Sequence, residues 1–87
     1  MSKQELLVRL GVPAQTLELW LEQQWLIPAQ TTLGLTFSDI DIARAHFIRD
    51  LQSDFGVNDE AMDLVLHLVD QLNGLRYALS ELRKDVR

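Results

Sequence analysis

The 87-residue sequence contains no cysteine, which excludes disulfide bridges, thiolate nucleophiles and cysteine-ligated metals. Cations are scarce: 8 lysines and arginines stand against 13 acids, for a formal charge of −5. Such a chain repels phosphate backbones at long range and favours basic partners. The scarcity is local as well as global, since no lysine or arginine occurs between Arg9 and Arg44, or from Asp50 to Leu75. No apolar run approaches the roughly 20 residues needed to cross a bilayer. The N-terminus, Met1-Ser2-Lys3-Gln4-Glu5, lacks the basic-then-apolar layout of a signal peptide. A cytoplasmic protein without a membrane partner is the expectation. There is no glycine-rich phosphate loop and no nucleophile motif. His46 and His67 each have an aspartate four positions away (Asp50 and Asp63), but one imidazole and one carboxylate fall short of a three- or four-ligand metal site. No catalytic residue, cofactor, metal or small-molecule ligand is expected, and the chain reads as a non-enzyme.

What is present is helical punctuation. Ser2 with Glu5 fits a capping box ahead of Leu6, Leu7 and Leu10. Gly11 ends that helix, and Pro13 is expected at the first position of the next. There Leu17, Trp20, Leu21 and Gln24 line one side, so two short helices join at Gly11-Val12 as a helix-turn-helix. Trp20 and Trp25 read as core. Trp25 to Pro28 leaves the second helix and Leu35 to Phe37 returns, with Ala29 to Gly34 as a small β-wing between them. Ser38, with Asp41 in the capping-box position, opens a third helix whose expected buried stripe is Ile40, Ala43, Phe47, Leu51 and Phe55. Ile42, nearly opposite, is read as exposed or as a contact for a partner. Gly56 closes the third helix, and Asn58 caps the last, with Asp59 and Glu60 complementing its dipole. The expected division is 1–57 for the helix-turn-helix, wing and third helix, and 58–87 for a long terminal helix, together one domain.

In that last helix Ala61, Val65, Leu68, Leu72, Leu75, Leu79, Leu82 and Val86 follow at alternating spacings of 4 and 3. A mean period of 3.5 keeps side chains on one seam and marks helix–helix packing. A second row, Met62, Leu66 and Val69, lies about 100° around the helix and stops at Asn73. The front half is therefore expected to dock on its own domain, and Val65 to Val86 of the seam on a second copy, giving a homodimer. The plainer alternative is a monomeric bundle. Gly74 interrupts the helix at about 1 kcal/mol relative to alanine.

The order helix, turn, helix, wing, helix and terminal coiled-coil helix is similar to the MerR-type winged-helix regulators. Thr16, Leu17, Trp20, Leu26 and Pro28 fit that family's second helix and exit. Glu18 stands where the family usually carries arginine, Gln24 where it usually has glycine, and the wing lacks its Arg and Tyr pattern. The segment from Ala43 to Leu82 resembles a narrower branch, the CbpM family of chaperone modulators, at Ala43, Arg44, Ile48, Arg49, Leu51, Gly56, Val57, Asn58, Leu72 and Leu75. The resemblance implies an all-α, MerR-like winged helix-turn-helix with a small β-wing and a dimerisation helix paired antiparallel. It also implies a chaperone modulator that binds a J-domain co-chaperone of the CbpA type and inhibits it by occupying its chaperone-facing surface.

Charge bears on the choice independently. The interval holding the second helix and the wing has Glu18, Glu22, Asp39 and Asp41 and no cation. A DNA reader needs cations there for phosphates and donors for base edges. Six acids without a base, Asp50, Asp54, Asp59, Glu60, Asp63 and Asp70, form the candidate partner-binding surface for the basic helix that J-domains carry. Each acid also has a plainer reading: Asp59 and Glu60 as dipole partners, Asp63 and Asp70 as a solvated helix face. A MerR-like DNA-binding transcription regulator is the alternative. The face that meets the partner, the identity of the J-domain protein and the direction of helix pairing stay open at this level.

Overall fold

Short polar side chains start three of the helices, and left-handed residues follow the ends of the first three. The computed structural model describes residues 1–85: α1 (Lys3–Leu10), α2 (Ala14–Glu22), β1 (Ala29–Thr31), β2 (Gly34–Thr36), α3 (Asp39–Phe55) and α4 (Asp59–Asp85). They divide into two compact units, one of residues 1–57 and one that begins at Asn58. This is the mostly helical architecture of a MerR-like winged helix-turn-helix, with its two-stranded wing.

In the first unit, the Ser2 hydroxyl accepts from the Glu5 N–H at 3.2 Å, satisfying one of the orphan donors of α1. Gly11, with φ 67°, closes α1 and donates to the Leu7 carbonyl at 2.9 Å. Pro13 sits one position earlier than expected. It is the N-cap of α2 rather than its first helical residue, with extended ψ 149°, and its carbonyl accepts from Thr16 and Leu17. α2 ends in a Schellman turn. Gln24 takes φ 61°, its N–H donates to the Leu21 carbonyl, and the Trp25 N–H donates to Trp20. The wing pairs Ala29 with Thr36, Gln30 with Leu35 and Thr31 with Gly34, antiparallel. At its tip the Thr31 hydroxyl donates to the Gly34 carbonyl at 2.8 Å and accepts from the Leu33 N–H. The Phe37 N–H donates to the Met1 carbonyl at 2.8 Å, tying the exit of the wing to the start of the chain. Ser38 and Asp41 form the expected capping box, and Gly56, φ 62°, ends α3.

The core of this unit is Leu6, Leu10, Leu17, Trp20, Trp25, Leu26, Phe37, Ala45 and Ile48. α3 packs against α1 through its Ala45–Ile48 side. The expected stripe of α3 is thereby corrected: Ile40 and Phe55 are exposed, Phe47 and Ala43 are exposed, and Leu51 is half-buried. α3 carries two apolar rows, and the one with the smaller side chains faces inward. Alanine at position 45 lets a neighbouring backbone approach closely, whereas two phenylalanines would hold it away.

In the second unit, the Asn58 side chain accepts from the Ala61 N–H at 2.8 Å and starts α4. Met62 and Leu66 are buried, with Ala61, Val65 and Val69 half-buried. Leu68, Leu72, Leu75, Leu79 and Leu82 are exposed along the seam. Val86 lies outside the described residues. α4 runs through Gly74 without a break. Among the described residues, no helix is long and apolar enough to cross a membrane.

Candidate functional site

In a winged helix the outer face of α2 and the wing is where nucleic acid would be gripped. Here that face offers Gln15, Glu18 and Glu22 from α2 and Gln23 just after it, all exposed, and an uncharged wing. The nearest lysine, Lys3 of α1, is held in an ion pair with Glu18. Between the exit of α2 and the wing lies an open cavity of about 350 Å³, lined by Leu21, Gln24, Leu26, Ile27, Pro28, Gln30 and Leu35. No charged side chain enters it. A cavity of this lining can take an apolar side chain and offers no cation to a phosphate.

The two arginines of α3 are turned to internal work. Arg44 donates through Nε to the Trp25 carbonyl, just past the end of α2. Arg49 donates through Nη1 to the Leu10 carbonyl at 3.3 Å, at the C-terminus of α1, where a cation also complements the helix dipole. Its Nε and Nη2 reach the Asp50 carboxylate at 3.1 and 2.9 Å. These cations brace the ends of α1 and α2.

The six acids singled out in the sequence fall into two sets. Asp50 is half-buried and shared with Arg49, and Asp54 is exposed one turn later on the same side of α3. On α4, Asp59, Asp63 and Asp70 are exposed and fall within a stripe roughly 40° wide at about 100° per residue. Glu60 is exposed beside them. The stripe lies on the opposite side of α4 from Val65, Leu68, Leu72, Leu75, Leu79 and Leu82, so covering the seam would leave these acids in water. His46 is half-buried on α3, and His67 is exposed on α4.

Three features of the surface escaped the sequence. The Lys3–Glu18 pair joins residues 15 apart across a turn. The α2–wing cavity needs the ribbon's placement. The exposed apolar row of α3 was visible as a periodicity but assigned to the interior.

The family model described as MerR HTH family regulatory protein matches residues 1–84. No curated protein and no solved structure matches the chain.

Proposed function

The chain belongs to the MerR helix-turn-helix family of regulatory proteins, and on that premise we propose that it regulates by holding a protein rather than by reading DNA. In this reading it is a chaperone modulator: it binds a J-domain co-chaperone of the CbpA type through an acidic surface and keeps the co-chaperone from its chaperone. The observation that carries the reading is the charge of the α2–wing face. Every contact a winged helix makes with a duplex passes close to phosphates, and neutralising them supplies most non-specific affinity. A face with exposed Glu18 and Glu22, its nearest lysine already paired, forfeits that term.

The acids of α3 and α4 serve the same reading, because complementary potentials speed and orient encounter with a basic helix. The exposed seam of α4 supports a homodimer: five leucines in a row, Leu68 to Leu82, stand in water on a single copy. Charge along α4 favours antiparallel pairing. Residues 59–72 hold four acids and no base, whereas 73–84 hold three bases and one acid. Antiparallel copies set the acidic half of each beside the basic half of the other.

Family membership by itself fits a second reading, a DNA-binding transcription regulator, as well as the first. Titrating the purified protein against a J-domain co-chaperone, and separately against duplex DNA across a salt series, decides between them. Binding of the J-domain, with no shift of duplex at about 150 mM salt, is the expected result. A duplex complex that weakens steeply with salt, without J-domain binding, overturns the proposal.

A further inference from the structure

α3 has two apolar rows and buries one of them. The outer row is Ile40, 80% exposed, with Ala43, Phe47 at 39%, Leu51 and Phe55 at 75%. At about 100° and 1.5 Å per residue, these five occupy an arc of roughly 120° and run for about 22 Å, four turns of helix. Single exposed apolar residues are ordinary, but a contiguous row is the mark of a contact surface. Along one edge of the row lie Asp39, Asp50 and Asp54, within roughly 60° of one another by the same count. Asp50 is partly neutralised by Arg49, while Asp39 and Asp54 are exposed. On the other flank of the row, Arg44 donates to the Trp25 carbonyl.

We infer that this row is the docking face for one basic amphipathic helix of a partner protein. The inference rests on the adaptor reading and names the face that reading leaves open. Anchors spaced i, i+3, i+4 and i+7 on the incoming helix lie against Ile40, Phe47 and Phe55, and its lysines or arginines fall along Asp39, Asp50 and Asp54. The acidic edge selects the occupant. A second copy laid α3 against α3 on this row would bring Asp39, Asp50 and Asp54 against their own kind, and like charges across an interface disfavour it. A nucleic acid would meet apolar surface and carboxylates. A basic helix satisfies both parts of the row.

The test uses the full chain with two labelled probes: a purified J-domain, and a designed helical peptide of about 18 leucines and lysines, long enough for the four turns. Ile40→Ser combined with Phe55→Ser changes the two most exposed large side chains of the row, so helix content and melting temperature should stay close to wild type. The expected result is that wild type binds both probes and the double variant binds each at least tenfold more weakly. Asp54→Lys should weaken binding about threefold to fivefold at low salt, with the loss shrinking as salt screens it. Peptide binding that is absent, or equal in wild type and the Ile40/Phe55 variant, overturns the inference. So does a change of oligomeric mass in that variant, which would make the row a self-association surface. J-domain binding that survives the double variant removes this face and keeps the co-chaperone reading. Peptide binding through α3 without J-domain binding does the reverse.

Discussion

At position 24 a glutamine holds a backbone shape, φ 61°, that side chains with a Cβ resist. The left-handed region costs an ordinary residue about 1–2 kcal/mol, and glycine returns only part of that through its freer unfolded chain. Gln24→Gly should therefore stabilise the protein by about 1 kcal/mol, raising Tm by roughly 4–8 °C for a chain of this size; a thermal melt measures it. Arg49 is the converse case, a side chain whose reach cannot be read from its neighbours. Arg49→Met removes a charged hydrogen bond to the Leu10 carbonyl and strands Asp50. A loss of about 1–2 kcal/mol is expected in chemical denaturation. The caps at Ser2, Ser38 and Asn58 were legible because capping is settled within three residues. The Arg49–Leu10 contact spans 39 positions, and no local rule reaches that far.

At the scale of elements, boundaries were readable and facing was not always so. α3 begins and ends where Ser38 and Gly56 say it should. Its inward face, however, was chosen by how closely its neighbours could approach, and Ala45 with Ile48 won over Phe47 and Phe55. Periodicity weights side chains by hydrophobicity, whereas packing weights them by shape as well. The seam of α4 has the opposite status: one row, unmistakable in sequence, whose partner is proposed rather than seen. If two copies pair along it, Leu75→Lys with Leu79→Lys removes two seam leucines per copy. Each is worth about 1.5–3 kcal/mol when buried, so association should weaken at least about 100-fold and sedimentation should report a monomer. Wild-type Tm should rise with protein concentration, and the variant's should not. Because the chain has no cysteine, single cysteines along the seam also report direction. A parallel pair cross-links to itself at position after position, an antiparallel pair only near its centre.

For the whole molecule the decisive quantity is where positive charge is spent. Of the cations in the first unit, Lys3 faces Glu18, Arg44 and Arg49 face backbone carbonyls, and Arg9 is exposed in the last turn of α1. Restoring what the α2–wing face lacks is a direct experiment. Glu18→Arg with Glu22→Lys should create weak, strongly salt-dependent duplex binding where wild type is expected to show none, visible in a mobility-shift assay; neutralising phosphates is sufficient for such non-specific contact. Retained indifference to duplex would show that charge is not the obstacle on that face. Leu33, at the crest of the wing, is 98% exposed. A fluorophore attached to a cysteine at that position would be the chain's sole label, standing clear of its own body, and its brightness and tumbling would announce any nucleic acid that settled on the wing while the rest of the surface went about other business.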